Sequence, residues 1–127
     1  MRSINKHQVD GHETALSINV TNEPGAGGAN HRYELNIPNA HTNASGYVGT
    51  TLAILFQNGT IPDNGVNGVT QEALLAIAAY RLESFQAGPF ACADNAEALV
   101  HIDAAIDCLL RRTRNRIARD VEGKYVV

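Results

Sequence analysis

Five of the chain's ten basic residues, Arg111, Arg112, Arg114, Arg116 and Arg119, fall in one short stretch. Arg112 and Arg116 are four apart, so a helix sets them on one face, and Arg119, seven from Arg112, lies near it. Like charges so placed repel one another unless an anion or an acid meets them. A guanidinium is a planar fork that grips phosphate through two hydrogen bonds, and the stretch holds arginine with no lysine. The competing reading is a solvated helix end, where cations suit the negative pole of the helix dipole and Asp107, Asp120 and Glu122 are at hand as partners. Residue type and spacing leave the two readings level.

Two aromatic residues flank the only Gly-Pro step in this half of the chain: Phe85 before Gly88-Pro89 and Phe90 after it. Packing in a core is the default for a Phe at helical spacing. A ring near a helical bend has a second use, since stacking a base on it contributes roughly 1–3 kcal/mol. Asn95 reads either as a polar residue of a helix start or as an amide that matches the paired donor and acceptor edge of adenine. Asn67, in Gly65-Val66-Asn67-Gly68, reads as a turn residue.

Other chemistries find no residues to carry them. Gly25-Ala26-Gly27-Gly28 lacks the lysine and the strand–helix setting of a phosphate-binding loop. No nucleophile elbow occurs. His7, His12, His31, His41 and His101 show no ligand pairing, and Asp103 and Asp107, four apart, read as helix surface. The expectation is therefore no catalytic residue, no metal site and no cofactor. Cys92 and Cys108 have neither zinc-site spacing nor the density of a disulfide scaffold, and read as reduced thiols.

These residues need elements to hold them. Leu16, Ile18 and Val20 alternate with polar or small residues, as do Tyr33, Leu35 and Ile37, which predicts two strands with one apolar face each. The Gly- and Asn-rich segment between them predicts a hairpin connection. Thr51 to Gln57 is apolar on both faces, the pattern of a central strand covered on both sides. Residues 1–12 read as a loose arm and 58–69 as a loop. Thr70 is placed to cap a helix that runs to about Gln86 and carries Leu74, Leu75, Ile77, Ala78, Leu82 and Phe85. Asp94 with Glu97 has the form of a capping box for a second helix, to about Arg119. The expected fold is α+β in one domain over 1–127: a small antiparallel N-terminal sheet (13–57), a loop (58–69), a long antiparallel helical hairpin (70–119) and a tail (120–127). A final helix that outruns its neighbours leaves part of its apolar stripe for a second chain to cover.

A net charge of −3 with one basic cluster argues for a local anion site and against a DNA or RNA track. The first residues hold no apolar leader, and no apolar run approaches the roughly 20 residues of a membrane span, so no membrane partner is expected.

The string from Phe56 to Gly123 resembles the phage Thoeris anti-defence sponge proteins, related to the anti-CBASS cyclic-nucleotide sponges. The likeness rests on FQ-x-G, GVNGVT-x-EALL, RL-x-x-FQ-x-GPF, the Asn at the second helix start and RT-x-x-R before VEG, and covers a little over half the chain. It implies a protein of the host bacterial cytoplasm, not an enzyme, that binds and sequesters a cyclic ADP-ribose isomer without cleaving it. It also implies a homodimer or hexamer, the latter with further sites for CBASS cyclic oligonucleotides. By the same resemblance Phe85, Asn95, Arg112 and Arg116 contact the nucleotide; Arg119, near the same face by its spacing, is a weaker candidate for the same ligand. Asp120 stands where the family often has Gly, which sets a negative charge beside the phosphate site. The alternatives are an enzyme that degrades the nucleotide and a module whose arginines meet an acidic protein.

Overall fold

The computed structural model describes residues 2–9, 16–38 and 50–122, with side chains through Arg119. Two compact units divide the chain, Met1–Val69 and Thr70–Val127. The division falls where the strand-forming half gives way to the helical half.

The first unit is a four-stranded antiparallel meander in the order β1-β2-β3-β4. Its strands are β1 (Arg2–Ile4), β2 (Ser17–Val20), β3 (Arg32–Ile37) and β4 (Thr50–Leu55). Register follows the alternation read in the sequence. Ile4 pairs with Ile18, Ile18 with Leu35 and Leu35 with Leu52, an apolar row across all four strands. A second row runs from Val20 through Tyr33 to Ile54 on the same face. Val20 is buried there, and Tyr33 meets Phe56 edge to face at 5.5 Å. The opposite face is held by polar pairs: Arg32 with Glu34 at 2.6 Å, Asn36 donating to Ser17, and Thr51 donating to Asn36. The first pair lies within β3; the other two cross strands, and cross-strand pairs each contribute a few tenths to about 1 kcal/mol.

Two strand expectations need correction. The N-terminal segment is no loose arm throughout, because Arg2–Ile4 forms β1 against β2. Three residues were too few to show an alternation. Strand β4 is an edge strand, paired with β3 alone among the described residues, and Leu52 and Leu55 are half exposed. Its apolar second face consists only of Ala53 and Leu55. What covers its end is the returning loop: Val69 donates to the Leu55 carbonyl at 2.8 Å and accepts from Gln57 at 2.9 Å.

That loop carries the FQNG and GVNG motifs, and the structure gives them a mechanical role. The Gln57 amide donates to the Gly65 carbonyl at 2.8 Å and accepts from the Asn67 N–H at 2.9 Å. The Asn67 side-chain amide grips the Asn58 backbone twice, accepting from its N–H at 2.8 Å and donating to its carbonyl at 2.9 Å. Asn67 thus ties the end of the loop to its beginning. Gly68 is required by proximity, since a Cβ there would stand 2.5 Å from the Phe56 carbonyl carbon. The loop also holds a single helical turn, α1 (Ile61–Asn64), with Pro62 in its first turn.

The second unit is a helical hairpin of α2 (Gln71–Gln86) and α3 (Ala93–Glu122). Thr70 caps α2 as expected, its hydroxyl accepting from the Ala73 N–H at 3.1 Å. The seam on α2 is Leu75, Ala79, Leu82 and Gln86; on α3 it is Asn95, Leu99, Ile102, Ile106, Leu109 and Thr113, all buried or half-buried. Spacings of three and four in alternation are those of a two-helix seam. Ile77 is not in it and is largely exposed, on the outer side of α2 with Tyr80.

The start of α3 differs from the expected capping box. The helix begins at Ala93, and Cys92 holds the cap position, its Sγ accepting from the Asn95 N–H at 3.4 Å. A cysteine side chain reaches the same place as a serine, which puts Asp94 one step inside the first turn. The helix also continues three residues past Arg119, so its backbone runs through Asp120 where a glycine would favour an exit. His12, His41 and residues 123–127 of the tail lie outside the described residues.

Candidate functional site

The bend between α2 and α3 collects one group of the predicted residues. Phe85 is half-buried in the last turn of α2. The Arg81 guanidinium, one turn earlier, stands over its ring at 5.0 Å. Phe90 meets the same ring nearly edge-on, with centroids 6.3 Å apart, and is itself 73% exposed. Phe90 is therefore no core residue; it is a platform at the surface of the bend. Asn95, half-buried in the first turn of α3, makes a long 3.5 Å contact from its amide to the Phe90 carbonyl. Its Oδ1 has no partner among the described residues. The group thus combines two rings, one cation and one side-chain amide with open acceptor capacity.

Arg112, Arg116 and Arg119 form the other group. All three are exposed on α3, and no ion pair to any of them occurs among the described residues. Asp107, a candidate partner one turn or so away, makes none. Of the neighbouring arginines, Arg111 turns to the Cys108 sulfur at 3.5 Å. The described ion pairs lie elsewhere, at Arg32–Glu34 and at Glu97–His101. Self-repulsion among three guanidiniums on one flank is left uncompensated by the described residues, which is the condition that favours a bound anion.

Helix phase places the two groups on the same side. Phe85 precedes the seam residue Gln86, and Arg112 precedes the seam residue Thr113. Two antiparallel helices bring like-numbered flanks of their seams to the same side of the pair. Phe85, Arg112 and, one heptad on, Arg119 therefore share one flank of the hairpin, with Arg81 and Arg116 close to it.

Along the axis the groups are far apart. Asn95 and Arg112 are separated by some 25 Å of helix at the standard rise. The single hairpin brings Phe85 and Asn95 together and does not bring Arg112 or Arg116 to them. The reason is the length of α3, nearly twice that of α2, so that the arginines ride on a segment running beyond the paired helix. Ile117, four residues past the last seam position Thr113, is 55% exposed on that segment.

Arg81 and Gln86 were not among the residues picked from the sequence. Both lie inside the RL-x-x-FQ motif. An arginine one helical turn before an aromatic residue is a readable cation–π signal. Among the described residues no group of His, Cys, Asp and Glu is arranged to hold a metal ion, and no helix is long and apolar enough to cross a membrane.

The chain is 37% identical over 79 residues to Thoeris anti-defense 1 of Bacillus phage SBSphiJ7; the aligned part is 62% of this chain and 56% of that protein. The chain thus spans little more than half the length of this relative. Residues 49–114 match the hairpin domain described as Acb2/Tad1, which takes in β4, the amide-stapled loop, α2, the bend and α3 as far as Arg114. With just over half of its residues in that match, this chain belongs to the Acb2/Tad1 hairpin-domain family of phage anti-defence proteins.

Proposed function

We propose that the protein binds and sequesters a cyclic ADP-ribose-type signalling nucleotide in the cytoplasm of the infected bacterium, without cleaving it, and so blocks Thoeris defence. The observation that carries the reading is the set of exposed guanidiniums of Arg112, Arg116 and Arg119, without acidic partners among the described residues, with Arg112 and Arg119 on the same flank as Phe85 and Arg116 close to it. Guanidiniums take the diphosphate, Phe85 and Phe90 take a base face, and Asn95 takes a polar edge. The relative's name, Thoeris anti-defense 1, supports the biological setting.

A nucleotide closed into a ring is compact and does not span the roughly 25 Å between the two groups. One complete site therefore takes the bend of one copy and the arginine segment of another. A two-fold arrangement of two such hairpins supplies this twice, and the exposed Ile117 on the projecting part of α3 gives the second copy an apolar contact. A homodimer is the smallest assembly with whole sites; a hexamer, with further sites for CBASS cyclic oligonucleotides, is built from the same unit.

The test is a titration followed by recovery of the ligand. Purified protein mixed with the cyclic ADP-ribose isomer made by a TIR-domain enzyme should bind it at nanomolar strength, roughly −12 kcal/mol. Heating the complex to denature the protein should return the nucleotide intact. Return of a cleaved product would make the protein an enzyme, and no binding would leave the arginines to an acidic protein partner.

A further inference from the structure

One residue of the bend contacts backbone on both sides of its own amide. Gln86, the last residue of α2, accepts from the Cys92 N–H at 3.0 Å and donates to the Cys92 carbonyl at 3.1 Å. A single side chain thus pairs with one backbone unit as a neighbouring strand would. Cys92 is also the cap of α3: its carbonyl accepts the first helical bond from the Ala96 N–H at 3.1 Å, and its sulfur accepts from the Asn95 N–H. The end of α2 is in this way bonded directly to the residue that starts α3.

We infer that Gln86 is a positioning residue for the nucleotide site: its bidentate grip on Cys92 fixes the distance between the Phe85 ring and the Asn95 amide. This rests on the proposed function for what those two groups hold. The argument is geometric. Phe85 is the neighbour of Gln86 on α2, and Asn95 is held by its N–H to Cys92 three residues before it. Between Gln86 and Cys92 lie five residues whose own backbone bonds are few, Ala87 to Glu83, Gly88 to Phe85 and Ala91 to Gly88. Those bonds shape the turn, yet the described bonds that carry α3's start back to α2 are the two on Gln86. No other residue type offers a donor and an acceptor at this length and spacing. Glutamate keeps the acceptor and sets a charge against the Cys92 carbonyl.

The test uses Gln86→Ala and Gln86→Glu in the full-length chain, read in two ways. Amide hydrogen exchange comes first and needs no nucleotide. Gln86→Ala should exchange faster at Cys92 and Asn95, and Gln86→Glu less so at Cys92 because it keeps the acceptor, while the mid-helix amides of α2 and α3 stay protected; unchanged protection at Cys92 and Asn95 in Gln86→Ala overturns the inference. The second reading is a double-mutant cycle on affinity for a cyclic ADP-ribose isomer. Gln86→Ala should weaken binding by roughly tenfold in the wild-type and Arg112→Ala backgrounds, and by less than about twofold where Asn95 is already Ala. An equal loss in the Asn95→Ala background would show a general structural role and overturn the positioning role. If the wild-type protein binds no such nucleotide, the proposed function fails on that result alone, and the exchange data still decide whether Gln86 holds the bend.

Discussion

At the scale of single residues, the site is two sets of side chains with different physical tasks. In the proposed complex Arg112 and Arg116 supply charge-assisted hydrogen bonds, each worth roughly 1.5–3 kcal/mol. Arg112→Ala or Arg116→Ala should therefore weaken nucleotide binding by at least tenfold in calorimetry, with the melting temperature unmoved, because neither side chain has a packing or ion-pair partner among the described residues. Arg119 lies one turn further along and should matter less. Phe85→Ala removes a stacking face as well as the ring that Arg81 and Phe90 touch, so it should weaken both binding and the fold. Binding through guanidiniums on an exposed flank should also weaken as ionic strength rises. The arginine group was legible in the sequence because four- and seven-residue spacings on a helix leave little choice of face. Phe90 was not, since a Phe beside Gly-Pro reads as core until the bend shows its ring 73% exposed. Gln86 escaped for a related reason: a glutamine at a helix end declares nothing until the backbone unit it grips is in place.

At the scale of elements, the hairpin and the sheet owe their shapes to different kinds of evidence in the chain. Thr70, the helical spacing of Leu74, Leu75, Leu82 and Phe85, and Gly88-Pro89 state the first helix and its end, while the buried seam residue is Ala79 rather than the exposed Ile77 and Ala78 of the expected stripe. Loss of the Thr70 cap in Thr70→Ala should cost about 1 kcal/mol, measurable by denaturant unfolding. The start of α3 was misplaced by one or two residues because Asp94 is the better cap by type, while Cys92 is the one whose sulfur lies 3.4 Å from the Asn95 N–H. In the sheet, alternation at Leu16 to Val20 and Tyr33 to Ile37 fixed register and face. Position in the sheet was misread for β4, because an apolar run says that a strand is covered without saying by what. Here the cover is Val69 on a returning loop, and that approach depends on the missing Cβ of Gly68. Gly68→Ala should destabilise the sheet unit by about 2 kcal/mol or more, since the obstruction is backbone rather than a movable side chain. Differential scanning calorimetry would show it as a lower transition for the sheet with nucleotide affinity per folded molecule retained.

At the scale of the whole molecule, the length of α3 organises the account. A helix of thirty residues against one of sixteen leaves the arginines and Ile117 on the part of α3 that outruns α2. The same excess length keeps those arginines some 25 Å from Asn95 within one chain. Sequence periodicity gave the lengths of both helices, and hence the uncovered stripe, but it could not say which ends meet. In the proposed dimer, two copies related by a two-fold axis satisfy both needs together, covering Ile117 and completing the site. Ile117→Asp should shift the protein toward monomer in analytical ultracentrifugation and weaken nucleotide binding with it.

The most direct measurement mixes two variants that each bind the nucleotide more weakly than the wild type. Arg112→Ala spoils the arginine half of the site and Asn95→Ala spoils the bend half. If each site draws one half from each of two copies, subunit exchange in an equal mixture makes about half the dimers mixed, each with one intact site of two. Titration of that mixture with the cyclic ADP-ribose isomer should recover about a quarter of the wild-type stoichiometry at wild-type affinity. A mixture that binds no better than the two variants alone would contradict a site shared between copies.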